Sequence, residues 1–358
     1  MNKFPDGYAV VYCEDAFNTT YGKTAHGLVR YTTRYKILSV IDSHYSGQDA
    51  GTVLDNKPAH IPVVLDLNDA INLAKRNKQQ ITHFVIGLAP DGGCLDNNIR
   101  EQIKHAIRIG LHIDSGLHDF LSDDMEIINL ARERGVNIRD IRKTPARNKL
   151  HFFSGKIKNV TSLKIAILGT NSAVGKRTTA WKLLDSLRLS GIKAELIGTG
   201  QTAWMQGVKY SIILDSLIND FVTGEIENII WKAWKKEKPE VIIIEGQGSI
   251  MHPAYPGGFE IIAAGRPDLI ILQHAPGRKE YDGFAGYKIH PLKDQIRIIE
   301  LLSGKSVIAI TINSENLQND QIAGVYKKIR QETGLPVCNP LLDGMDDIVK
   351  VIKKRNYQ

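Results

Sequence analysis

Short apolar, β-branched runs alternate along the chain with stretches in which apolar positions recur every three or four residues. The first pattern fits buried strands and the second amphipathic helices, so their alternation predicts an α/β fold with mostly parallel sheets. In the first half, strands are expected at 9–13, 36–42, 62–66, 83–88 and 136–139, with helices at 67–76, 98–109 and 123–134. In the second half, strands are expected at 163–168, 194–197, 240–245, 269–273 and 306–312. Helices there are expected at 176–189, 226–236, 292–302, 320–332 and 345–355. The basic, aperiodic stretch 143–159 (KTPARNKLHFFSGKIKN) separates the halves and reads as a domain connection. The expected organisation is two α/β domains, an N-terminal one over 1–145 and a C-terminal one over 160–358.

Composition supports this picture and narrows the partners. The 358 residues suit two domains at ~100–200 residues each. With 42% hydrophobic and 24% charged residues, both halves can bury a core. No apolar run approaches the ~20 residues of a membrane span. The start, MNKFPDGYAV, has no apolar core of a leader peptide. The widely spaced Cys13, Cys94 and Cys338 form no metal-binding or disulfide pattern. These features predict a cytoplasmic protein without membrane contact. A net charge of +7 favours anionic ligands. The basic clusters lie on helical faces and lack interleaved aromatic residues, which argues for an anionic metabolite and against nucleic acid.

The segment LKIAILGTNSAVGKRTTAWKLL changes the picture most. An apolar strand runs into Gly169, and Thr170, Asn171, Ser172, Ala173 and Val174 follow. Gly175, Lys176, Arg177 and Thr178 then open a helix. Such a loop brings successive backbone amides, a helix N-terminus and a lysine to one phosphate group. Two features depart from the usual loop. Five residues separate Gly169 from Gly175, and Arg177 stands where a Mg²⁺-holding hydroxyl is expected. Thr178 or Thr179 is the nearest substitute. The loop therefore suits coenzyme A as well as ATP.

Other candidates lie at expected strand ends, where open α/β sheets bind ligands. Glu245 closes one strand, and the loop after it carries His252 and Tyr255. Gln201 and Thr202 follow a Gly-Thr-Gly turn, and His274 and Arg278 follow another strand. Glu245, His252 and His274 are candidate bases. Gln201, Thr202, Tyr255 and Arg278 are candidate substrate contacts. For each lone histidine a packing role competes with a catalytic one. In the first half Asp42 has the position of a ribose-binding acid, but no GxGxxG precedes it, so nicotinamide binding has no support. The stretch 21–27 (YGKTAHG) offers an anion site. His112, Asp114, His118 and Asp119 match no metal spacing and read as turn chemistry, so no metal is expected unless ATP brings Mg²⁺ to Thr178 and Glu245.

Together, KTAHGLVRY, VIDSHYSGQDAG, GTNSAVGKRTTA, GTGQTAWM and EGQGSIMHPAYPGG resemble the D-glutamate N-acetyltransferase (DgcN-like) family, a two-domain family long described as a domain of unknown function. The resemblance spans nearly the whole chain. It implies a Rossmann-like domain fused to a P-loop domain similar to dethiobiotin synthetase, from which Arg177 departs. It also implies acetyl transfer from acetyl-CoA to the amine of an acidic amino acid such as D-glutamate; separately, a homo-oligomer is expected. The loop would then hold the coenzyme A phosphates. The alternatives are an ATP- and Mg²⁺-dependent ligase or kinase acting on a carboxylate, and a nucleotide-sensing regulatory protein.

Overall fold

The computed structural model describes residues 6–356. The first five residues, part of the segment read for a leader peptide, lie outside the described residues. The chain forms two compact units.

Among the described residues, the N-terminal unit holds six parallel strands: β1 (Gly7–Tyr12), β2 (Tyr35–Ile41), β3 (Val63–Val64), β4 (His83–Ile86), β5 (His112–Ser115) and β6 (Ile138–Asp140). Their order, β3-β2-β1-β4-β5-β6, is that of a Rossmann sheet. Helices α1 (Lys23–Arg30), α2 (Ala50–Asp55), α3 (Leu67–Arg76), α4 (Asn97–Arg108) and α5 (Met125–Arg134) connect them. Asp49, Asp66, Asp96 and Asp124 each accept a backbone N–H at the start of α2 to α5, which stops the strand-to-helix loops at defined points.

Two readings of this half need correction. His112–Ser115 is a strand rather than a turn. Its Asp114 is fully buried and accepts the Tyr35 hydroxyl at 2.5 Å and the Arg139 guanidinium at 2.5 and 2.6 Å. A buried charge is kept by such a paired network, and that acid breaks the apolar run that would have marked the strand. Asp42 is also fully buried, and it accepts the amides of Phe17 and His44 at 3.0 Å each. Its carboxylate is committed to turn structure rather than turned to a ribose.

The C-terminal unit holds seven parallel strands: β7 (Leu163–Gly169), β8 (Ala194–Gly198), β9 (Tyr210–Ser211), β10 (Val241–Glu245), β11 (Leu269–His274), β12 (Val307–Ile312) and β13 (Val337–Cys338). Their order is β13-β12-β11-β7-β10-β8-β9. The central strands β7, β10 and β11 are buried along almost their whole length, as a sheet covered on both faces requires. Helix α6 (Lys176–Leu189) follows β7. The remaining helices are α7 (Gln201–Met205), α8 (Asn219–Glu237), α9 (Phe259–Gly265), α10 (Leu292–Ser303), α11 (Asn319–Thr333) and α12 (Asp346–Asn356). Among the described residues, no helix is long and apolar enough to cross a membrane.

Residues 201–208, which contain α7, belong to the N-terminal unit although they follow β8. Thr202 Oγ1 lies 2.9 Å from Thr24 Oγ1. Gln206 Nε2 donates to the carbonyls of Gly27 and Tyr31 at 2.7 and 2.9 Å. Arg34 stacks 3.7 Å over the Trp204 ring and donates to its carbonyl at 2.9 Å. The periodic pattern gave no sign of this excursion, because its partners are far away in sequence.

The expected connection is tied to α8 from residue 151 onward. Glu227, fully buried, accepts Ser154 N and Oγ at 2.7 and 2.8 Å and Ile157 N at 3.1 Å. The chain crosses α8 so closely that a Cβ on Gly224 would lie 1.9 Å from the carbonyl oxygen of His151. Gly224→Ala should therefore cost about 2 kcal/mol, within the range for overpacked sites. Urea unfolding followed by tryptophan fluorescence should show the lowered midpoint, and an unchanged midpoint would contradict the crossing.

Candidate functional site

The site forms where β7, β10 and β11 end in the C-terminal unit. Gly169 ends β7, and a Cβ there would come within 2.9 Å of the Lys176 side chain. A Cβ on Gly246 would stand 2.2 Å from the Ile167 carbonyl. Both glycines let Lys176 lie flat between two strand ends. Ala173 (φ 51°) and Gly175 (φ 104°) take left-handed backbone, which curls the loop into the N-terminus of α6. Alternation of this kind turns successive amides toward one point.

The loop carbonyls are held back by side-chain donors. Lys176 Nζ donates to Asn171 O at 2.9 Å and to Gly248 O at 2.6 Å. Arg278 donates to Ser172 O at 3.0 Å and reaches Ala173 O at 3.5 Å. Gln273 Nε2 donates to Val174 O at 3.0 Å. Gln273 is itself fixed, since its Oε1 accepts the hydroxyls of Thr179 at 2.5 Å and Thr311 at 2.6 Å. Among the described residues, the amides of Ala173, Val174 and Gly175 donate to no other group. With the first amides of α6 they make a cradle for an anion. Thr178 is half-buried in the first turn of α6.

Asn171 is fully buried and clamps a neighbouring segment. Its amide donates to Glu280 O at 3.1 Å, and its Oδ1 accepts Asp282 N at 3.0 Å. That segment, residues 279–290, makes a narrow hairpin through Glu280 and Lys288. Its sequence, KEYDGFAGYKIH, has no helix or strand period, which explains why sequence reading missed it and Asp282. Gln273 was passed over for a different reason: a polar residue at a strand end carries no sign of its partners.

The expected acid and base groups gather here. Glu245 is buried, and its Oε2 accepts Thr199 N at 2.9 Å. Thr199 Oγ1 donates to Glu245 O at 3.0 Å and accepts Gln247 Nε2 at 2.7 Å. Burial raises the Glu245 carboxyl above its ordinary range, opposed by the charge of Arg177, the Thr199 amide and Lys176. His252 is 1% exposed; its Nδ1 accepts the amides of Ala254 at 3.2 Å and Tyr255 at 3.0 Å. Burial lowers its imidazole, opposed by Asp282. The Tyr255 ring lies 5.0 Å from that of His252. His274 Nδ1 pairs with Thr170 Oγ1 at 2.9 Å, and burial pushes its imidazole down to about 4.

Arg278, read as a candidate substrate contact, ties the loop to neighbouring segments. Besides the loop carbonyls it binds Glu315 at 2.7 Å and faces Asp282 at 3.6 Å. Gln201 and Thr202 are buried in the N-terminal unit, with Thr202 on Thr24.

A parallel sheet, a strand-to-helix anion loop and a buried carboxyl at the adjoining strand end define a P-loop protein, here joined to a Rossmann-like unit. The chain belongs to the DUF1611 family. Residues 151–349 match its C-terminal domain, described as a P-loop domain of unknown function, and residues 43–144 match its Rossmann-like N-terminal domain. A DUF1611 family protein from Anabaena variabilis, known from a crystal structure, superposes with a TM-score of 0.88 at 26% identity, over 97% of this chain and 99% of that one. A protein of a Pseudoalteromonas species named D-glutamate N-acetyltransferase is 30% identical, over 74% of this chain and 80% of its own length. One of the same name from Tritonibacter scottomollicae is 27% identical, over 75% of this chain and 80% of its own.

The His274 environment gives a pH prediction. In the window from ~6.5, the ordinary histidine value, down to about 4, the unfolded chain binds a proton that the folded chain does not. Stability should fall as pH drops through that window. His274→Asn, whose amide keeps a partner for Thr170, should show a shallower fall in Tm between pH 6.5 and 4. Equal slopes would assign the acid sensitivity elsewhere.

Proposed function

We propose that this protein is an N-acetyltransferase that moves acetyl from acetyl-CoA to the amine of an acidic amino acid such as D-glutamate. The observation that carries this reading is the amide cradle with Lys176, beside a buried carboxyl of raised affinity for protons. The shared name of two relatives supplies the acyl group and the acceptor. In this reading the P-loop amides, Lys176 and Arg177 hold the coenzyme phosphates. Glu245 takes a proton from the substrate ammonium, and the freed amine attacks the thioester carbonyl. The C–S bond breaks, the coenzyme leaves as its thiol, and an amide forms. A carboxylate with a raised pKa suits proton removal near neutrality.

The reading sets a condition on the coenzyme. Its pantetheine arm is long, and Glu245 lies beside Lys176 and Arg177, at the phosphate end. The acetyl group reaches Glu245 only if the arm folds back. The same proximity favours a second reading, phosphoryl transfer from ATP with Mg²⁺ on Thr178 and Glu245.

Thiol release from acetyl-CoA with D-glutamate, compared with phosphate or ADP release from MgATP, separates the two. Acetyl transfer predicts thiol release without Mg²⁺. Glu245→Gln should lower kcat at least about 100-fold with little change in coenzyme binding, the usual scale for a lost general base. Nucleotide turnover without thiol release would replace the proposal with the second reading.

A further inference from the structure

We infer that His252 serves the P-loop site as a neutral Nε2–H hydrogen-bond donor to an anionic oxygen of the bound ligand, and not as a base. The inference rests on the reading that the P-loop holds a phosphate-bearing ligand.

The other ring nitrogen sets the tautomer. Nδ1 accepts two backbone amides, those of Ala254 and Tyr255. An imidazole nitrogen that accepts cannot carry a proton, so the single proton of the neutral ring sits on Nε2. To act as a base at Nε2 the ring would need its proton on Nδ1 instead, against the two amides that point there. The ring is therefore locked as a donor.

That donor has no partner. Nε2 is buried and has no partner at good hydrogen-bonding geometry, although the backbone and the carboxylate of Asp282 lie near enough to favour a proton on the ring. Ser249 Oγ, three residues earlier, is likewise buried and unpaired. Two unpaired polar groups in one short loop are costly and call for an explanation. The loop also supplies Gly248 O, which holds Lys176 Nζ at 2.6 Å. The donors thus belong to the wall of the phosphate site. Tyr281 and Phe284, at ring distances of 5.1 and 5.6 Å, cover His252 from the hairpin that Asn171 clamps to the P-loop. Ligand entry would require this cover to shift, after which a phosphate oxygen would take up the Nε2 proton as a hydrogen bond.

His252→Asn separates the two sides of the ring. The asparagine Oδ1 can accept the same two amides, as in an Asx turn, while the Nε2 donor is gone. Long-range ¹H–¹⁵N spectra of the wild-type full chain at neutral pH should show His252 protonated on Nε2 alone. A proton on Nδ1 would overturn the inference. Calorimetric titration with pyrophosphate, acetyl-CoA and MgATP should then show His252→Asn, with unchanged Tm, binding at least about tenfold more weakly, the scale of a hydrogen bond to a charged group. Wild-type affinity in that variant would overturn the donor role even if Lys176→Ala loses binding. Weakened binding in His252→Asn with Lys176→Ala unaffected would sink the P-loop reading, and with it the inference that the donor serves that site. If no probe binds the wild type, both fail.

Discussion

The site depends on where the carbonyls of one loop point. From Asn171 to Val174, each carbonyl oxygen faces a side-chain donor, from Lys176, Arg278 or Gln273. A peptide group has its N–H opposite its C=O, so fixing the carbonyls outward fixes the amides toward the cradle. This preorganisation costs nothing further when an anion arrives, which is what makes fixed dipoles effective in binding and catalysis. Gln273 extends the constraint into the sheet through Thr179 and Thr311, and Arg278 extends it through Glu315.

The same dependence explains the placement of Glu245 and His252. Parallel strands deliver their C-terminal ends to one edge, so the ends of β7, β10 and β11 converge there whatever the loops contain. The loops then decide the chemistry. Thr199 fixes one oxygen of Glu245, and two backbone amides fix one nitrogen of His252. Each titratable group thus has one atom engaged by backbone amides.

Much of this was legible in the residues. Central strands such as β7 and β10 are continuous apolar runs, and α6 begins at the Gly175-Lys176 pair that marks an anion loop. Glu245 was visible because an acid directly after VIII ends a buried strand. What was not legible depends on partners distant in sequence. β5 was hidden because Asp114, paired with Tyr35 and Arg139, interrupts its pattern. The membership of α7 in the N-terminal unit rests on contacts with Thr24, Gly27 and Arg34. Arg278 was read as a substrate contact, and a sequence does not show that Glu315 and two loop carbonyls also bind it. The donor character of His252 follows from two backbone amides, which no side-chain pattern encodes.

The most direct test of the account is a crystal structure of the protein soaked with acetyl-CoA and D-glutamate. The account predicts pyrophosphate oxygens at about 3 Å from the amides of Val174, Gly175 and Lys176, a hydrogen-bonding distance. It also predicts the pantetheine arm folded back, with the acetyl group beside Glu245. Coenzyme bound away from this loop, with the Asn171–Val174 carbonyls unchanged and the cradle unused, would contradict it.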